Sequence, residues 1–170
     1  TTPVSGLTNV ADVGAGGSHS LAVKVDGSVW AWGANDRGQL GDGTMTQRLT
    51  PVLVPGLTGV LRVAGGVRGD SSLALKSDGT VMAWGYNNTG QLGDGTTTTR
   101  TSPVVVSGLT GVVAIAAGTN HALALKGDGT LWSWGLNSSG QLGDGSTTQR
   151  TTPVAVSGLA NVVAIAAGNT

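Results

Sequence analysis

Apolar residues along this chain fall in short runs separated by glycine-rich polar stretches, and the arrangement recurs about every 50 residues. The dipeptide Trp-Gly stands at Trp32-Gly33, Trp84-Gly85 and Trp134-Gly135, with Lys24, Lys76 and Lys126 and then Arg48, Arg100 and Arg150 in the same phase. Gly6, Gly56, Gly108 and Gly158 recur at spacings of 50, 52 and 50 residues. The spacings agree if the second copy carries a two-residue insertion between Val63 and Leu73, where GGVRGDSSL replaces the AGTNHAL of the third copy. Self-similarity at such a period marks a repeat architecture. The units predicted are residues 7–56, 57–108 and 109–158, with a partial unit at 159–170, all within one repeat domain covering 1–170.

Within a unit the pattern is that of strands. In the third copy, Val112 to Ala117 is an apolar run ended by Gly118, His121 to Lys126 alternates, and Thr130 to Trp134 runs back after Asp128-Gly129. Asp-Gly between two such runs predicts a two-residue hairpin turn with both central residues at positive φ. A glycine-rich loop, GLNSSGQLGDGSTTQR, then leads to a fourth strand opened by Pro153, and a strand-opening proline fits a sheet edge. The prediction is an all-β chain of four-stranded antiparallel blades, three complete and a fourth begun by Val162 to Ala167. One four-stranded sheet buries little, so blades must stack face to face as in a propeller. Trp30 and Trp32, Met82 and Trp84, and Trp132 and Trp134 lie two apart, so each blade is expected to offer one bulky pair to a neighbour.

Composition narrows the function classes. Thirty glycines accompany 39% hydrophobic residues, which excludes disorder by low hydrophobicity and high charge. Nine basic residues balance nine acids, every acid is Asp, and no basic run offers a nucleic-acid footprint. No apolar stretch is long enough for a spanning helix. With no cysteine there is no disulfide and no thiolate nucleophile or ligand. The opening Thr1-Thr2-Pro3 shows no charged or apolar leader pattern.

The motifs WG-x-N-x-x-G-Q-L-G-D-G-T, R-x-T-P-V, G-L-x-x-V and A-x-G-x-x-H-x-L-A-L resemble the regulator-of-chromosome-condensation repeat, and the resemblance covers essentially the whole chain. It implies a seven-bladed ring, of which this chain would hold under half. Hence the chain is expected to be a fragment of a longer protein or to complete a ring by self-association. Family functions include nucleotide exchange on the GTPase Ran, ultraviolet sensing and partner binding, and a distantly similar bacterial propeller inhibits β-lactamases. The basic chromatin-binding tail and the photoreceptor's Gly-Trp-Arg-His-Thr motif have no counterpart here. The Gly/Thr-rich, Glu-free copies resemble bacterial versions, which implies a secreted or cell-surface setting, with the cytoplasm as the alternative.

Candidate chemistry is sparse. His19 and His121 occupy equivalent positions two blades apart, so they do not converge as metal ligands must. One Asp in each Gly-Asp-Gly loop (Asp42, Asp94, Asp144) is too few for calcium, and pairing with the repeat arginine is expected instead. No catalytic residue, metal site or cofactor is predicted. Positions that differ between copies are free to specialise, and these nominate Arg37, Tyr86, Asn88 and Leu136 on loops at one rim. The insertion adds Arg68-Gly69-Asp70, the tripeptide displayed by integrin ligands, and so adds Arg68 and Asp70 as candidates. The function expected is a non-catalytic protein-binding scaffold. A GTPase exchange factor is the alternative, and a propeller lyase or an Arg68-Gly69-Asp70 adhesion module the remote ones.

Overall fold

Each repeat folds into four antiparallel strands, as seen in a computed structural model that describes residues 3–169. Thr1, Thr2 and Thr170, which end the predicted domain, lie outside the described residues. The first blade is β1 (Val10–Ala15), β2 (His19–Lys24), β3 (Val29–Gly33) and β4 (Arg48–Leu53). The second is β5 (Val60–Gly65), β6 (Ser71–Lys76), β7 (Val81–Gly85) and β8 (Arg100–Val105). The third is β9 (Val112–Ala117), β10 (His121–Lys126), β11 (Leu131–Gly135) and β12 (Arg150–Ala155). Strands neighbour one another in sequence order within each sheet. β1 packs on β5 and β5 on β9, which makes these the innermost strands and leaves β4, β8 and β12 outermost.

Alternation sends the two faces of each blade to different neighbours. Leu73, Leu75, Val81 and Ala83 of the second blade meet Ala122, Ala124 and Trp134 of the third. Ala74, Met82 and Trp84 of the second blade meet Leu21, Val23, Val29 and Ala31 of the first. Large residues on one face thus oppose alanines and one tryptophan on the next, which fills the space between sheets. Trp84 and Trp134 are fully buried, each capping the blade before it, and Met82 and Trp132 share those faces as expected. Burying two such indoles contributes about 3 kcal/mol each.

Polar bonds lock each junction. At the first, Trp84 Nε1 and Ser72 Oγ donate to the Gln39 carbonyl, both at 2.9 Å, and Gly43 N donates to Thr101 O at 2.9 Å. At the second, Trp134 Nε1 donates to the Gln91 carbonyl and Gly95 N to Thr151 O, again at 2.9 Å.

Three local expectations are corrected. The Asp-Gly turns hold only glycine at positive φ (Gly27 77°, Gly79 79°, Gly129 80°), so they are type I turns followed by a left-handed glycine. Asp26 keeps ordinary backbone because its carboxylate accepts from Ser28 N and Oγ. The outer strands begin at the repeat arginines and not at proline, with Pro51, Pro103 and Pro153 falling at their fourth residue. There the register jumps, as between Ala31–Val52 and Gly33–Arg48, so the missing N–H falls in a bulge on an edge strand. Finally, Val162 to Ala167 pairs with no strand among the described residues. Val162 N does donate to Gly129 O (3.1 Å), as Val60 N does to Gly27 O and Val112 N to Gly79 O, so the segment sits where an innermost strand begins.

Candidate functional site

The Trp-Gly-x-Asn loops owe their shape to one buried amide each. Asn35 Oδ1 accepts from Leu40 N (3.0 Å), while its Nδ2 donates to Asp42 Oδ1, Thr44 O and Thr46 O, each at 3.1 Å. Asn87 and Asn137 repeat this set in their own loops. Asp42 also accepts from Thr44 N and Oγ1, and its Oδ2 takes Arg48 Nε (2.8 Å) and Nη2 (2.7 Å). The pairs Asp94–Arg100 and Asp144–Arg150 follow suit. These bonds to Thr44 and Arg48 hold the Asp42 carboxyl below its usual range despite its burial; similar bonds do so for Asp94 and bring Asp144 to about 2. The Gly-Asp-Gly carboxylates are therefore spent on loop structure, and no cluster of three metal-ligating side chains occurs among the described residues.

On this frame the loop tips between β3 and β4 and between β7 and β8 are brought together. The Arg37 guanidinium, on the first, lies 5.0 Å from the centre of the Tyr86 ring, on the second. Asp36 stands 3.8 Å from Arg37 Nε, and both side chains are exposed. Beneath them Gln39 is buried; its Oε1 accepts from Arg37 N (2.8 Å), and its Nε2 donates to Asp36 Oδ1 and to Asp70 Oδ1 (both 3.2 Å). Asp70 also supplies the backbone carbonyl that takes Tyr86 N at 2.9 Å. Burial first, and then the Asp36 carboxylate, push the Asp70 carboxyl up, with Arg37 and the Gln39 bond opposing. Arg37, Asp70 and Tyr86 thus form one polar-aromatic patch across the junction of the first two blades.

The other candidates are not gathered there. Asn88 is exposed beside Tyr86 on the same loop, while Leu136 is half-buried on the third blade, where Thr89 and Asn120 occupy the junction. Arg68 is exposed with φ of 56°, Gly69 is buried against the Thr119 backbone, and Gly17 N donates to Gly69 O (3.2 Å). With Asp70 held by Gln39, the Arg68-Gly69-Asp70 loop is packed between neighbouring loops and does not stand free. Sequence reasoning missed Gln39. Gln39 repeats as Gln91 and Gln141, and so reads as framework, but its reach to the next blade's loop joins Arg37 to Asp70.

His19 is buried, and its Nε2 donates to Ser72 Oγ (2.8 Å), since that hydroxyl spends its own proton on Gln39 O. Burial lowers the His19 pKa to about 4 and lowers that of His121 as well. Both stand as neutral structural imidazoles.

Comparison with known proteins accords with this architecture. The model of the RCC1-like domain matches residues 1–170. Human HERC2, an E3 ubiquitin-protein ligase, is 38% identical over 115 residues, which is 66% of this chain and 2% of that protein. The zebrafish (Danio rerio) protein RCC2 homolog is 42% identical over 81 residues, 48% of this chain and 16% of that protein. Yeast RCC1 (Prp20), solved bound to Kap60, superposes with a TM-score of 0.82 at 28% identity, over 98% of this chain and 41% of its own. A second structure, Saccharomyces cerevisiae Prp20p, described with its binding to Gsp1p and histones, gives 0.80 at 27% identity, over 98% and 43%. This chain spans less than half the length of each of these proteins. With three sheets of sequential antiparallel strands and a match along its whole length, this chain belongs to the RCC1-like domain family of β-propellers.

Proposed function

We propose that this chain is a non-catalytic protein-binding propeller segment whose partner engages the rim at the junction of the first two blades. The observation that carries this reading is the Arg37–Tyr86 stack. Arginine and tyrosine are the residue types that dominate binding hot spots, and here they stand on loops whose backbones are already fixed by Asn35 and Asn87. Little loop entropy would be lost on binding. Asp36 beside the stack adds an acceptor, so the patch suits a partner that brings an apolar or aromatic group together with a cation.

The reading is tested with the proteins that bind a relative. Yeast Prp20p is described with Gsp1p and histones and is seen with Kap60. Each would be titrated against this chain and against Arg37→Ala and Tyr86→Ala. Binding that falls at least tenfold in both variants, with unchanged thermal unfolding, supports the rim. Binding that is indifferent to both removes it.

A second reading, GTPase regulation, draws on the likeness to Prp20p and to the RCC2 homolog. Release of labelled nucleotide from Gsp1p on adding this chain would support it, and unchanged release would remove it.

A further inference from the structure

Arg68 occupies a backbone position that suits a different residue. Gly69 N donates to Gly66 O (2.8 Å), which closes a four-residue turn between β5 and β6. Arg68, third in that turn, has φ of 56°, whereas Val67 before it is not among the positive-φ residues. This is a type II turn, whose third position asks for glycine. The other non-glycine residues at positive φ among those described are Asn9 and Asn161, and asparagine tolerates that region better than a long side chain does. Strain of this kind persists only where the surroundings hold it.

Here the surroundings are the two neighbouring blades. Gly17 N of the first blade donates to Gly69 O (3.2 Å), and a Cβ at Gly17 would come within 2.9 Å of the Arg68 carbonyl carbon, so the turn seats against a glycine. On the other side Val67 N donates to Ala117 O (3.3 Å), and Gly69 lies against the Thr119 backbone. Behind the turn, Gln39 Nε2 holds Asp70 while Gln39 Oε1 holds Arg37 N. The second blade is flanked on both sides, so the turn lies at an interior position of the arc.

The side chain held on this backbone has no partner in the chain. Of the nine basic residues, six pair with an aspartate, Lys24 lies over the Trp30 ring and Arg62 donates to Leu61 O. Among the described residues no ion pair engages the Arg68 guanidinium, which is exposed beside Val67, itself 44% exposed. The insertion that creates the turn occurs in this repeat and in neither of the other two complete ones. Rigid backbone, strain and an unpaired cation therefore coincide at one exposed residue.

Resting on the rim reading above, we propose that Arg68 is a second contact for the partner that meets the Arg37–Tyr86 stack, and that it takes an aspartate or glutamate carboxylate of that partner. Arg68 and Tyr86 lie toward the same end of the second blade, because β6 starts at Ser71 opposite Gly85, where β7 stops. Asp70 links the two, following the turn in sequence and accepting Tyr86 N at its carbonyl. A guanidinium on a fixed backbone offers a carboxylate paired donors, with little ordering left to be done on binding. The partner then carries an acid toward Arg68 and a cation toward Asp36, and this charge order fixes the direction in which it docks.

Two substitutions separate the strain from the charge. Arg68→Gly removes both, while Arg68→Asn suits the left-handed turn and removes the charge. Neither should lower the melting temperature, and Arg68→Gly should raise it; a fall in Arg68→Gly would make Arg68 a structural residue and overturn the proposal. Binding is then titrated with Gsp1p and Kap60 as probes. The control is Arg62→Asn, the same change of charge near the opposite end of β5. Arg68→Asn should weaken binding about tenfold, the worth of one charge-assisted hydrogen bond, and the loss should shrink as salt is raised. Arg62→Asn should leave binding unchanged, and an equal loss there would reduce the effect to net charge and overturn the contact. Binding that falls in Arg37→Ala and Tyr86→Ala but not in Arg68→Asn would overturn this contact and leave the rim reading standing. Indifference to all three would remove both.

Discussion

Arg37 and Tyr86 come from loops 49 residues apart in sequence, on different blades, and meet with 5.0 Å between the guanidinium carbon and the ring centre. The contact bridges a junction that Gln39 already ties to Asp70 from below. A stack on the exposed rim contributes little to folding, about 0.5–1 kcal/mol. Replacing Arg37 with alanine is therefore expected to lower stability by no more than about 1 kcal/mol, as read by denaturant titration. A larger loss would make the pair a structural clamp and not a binding surface.

The buried amide beneath each loop behaves oppositely. Asn87→Ala leaves Leu92 N and the Thr96 and Thr98 carbonyls without their partner in a water-poor site. Unmaking several buried bonds at once is expected to cost about 3 kcal/mol, visible as a lowered melting temperature and faster proteolysis within residues 86–99. Asn87→Asp, which keeps Oδ1 but loses the Nδ2 donors, should be comparably damaging.

Asp94 is 5% exposed at its side chain, and Arg100 binds it at 2.9 Å. Arg100→Met would strand a buried carboxylate, and removing one partner of such a pair typically costs about 3 kcal/mol. Asp94→Asn/Arg100→Met should recover much of that loss. A double variant no better than the single one would show that the loop needs the charge itself.

Acid should weaken the fold in two windows. His19 titrates near 4 when folded against 6.5 when free, so it is neutral in both states above pH 6.5 and contributes no pH dependence there. As pH falls from 6.5 to 4 the unfolded chain takes up the proton first, and stability drops by on the order of 3 kcal/mol. His121 adds to the same trend. Below about pH 4 the depressed carboxyls Asp42, Asp94 and Asp144 act likewise, since their stabilisation is present above their free value and vanishes as they protonate. Denaturant midpoints at pH 7 and 4.5 should differ for the native chain, and the difference should shrink in His19→Gln, leaving the part that His121 contributes.

Asp70 runs against this trend because its carboxyl is pushed up, by burial and then by Asp36. Its charged form is disfavoured in the fold, so Asp70→Asn, which keeps an oxygen for Gln39 Nε2, should be neutral or stabilise by up to about 1 kcal/mol at pH 7. Thermal melts at pH 7 and 4.5 check this, and the benefit should shrink at the lower pH.

Periodicity alone made the architecture legible, because every strand is local and every unit repeats. The Trp-Gly spacing located β3, β7 and β11, and the insertion after Val63 falls in the loop before β6, as the phase shift required. The pairing of Asp42, Asp94 and Asp144 with the repeat arginines was legible too, since partners six residues apart share one loop. Turn type was not, because an Asp-Gly pair is compatible with several turns and the Asp26–Ser28 bond selects one. Nor was the contact of Arg37 with Tyr86, or the capture of Asp70 by Gln39. Those depend on how far one blade is rotated against the next, which is decided by Trp84 seated on the Gln39 carbonyl and by alanines facing leucines across the gap. A repeat unit determines its own sheet from within, whereas a rim site between two units exists only once packing has set their separation.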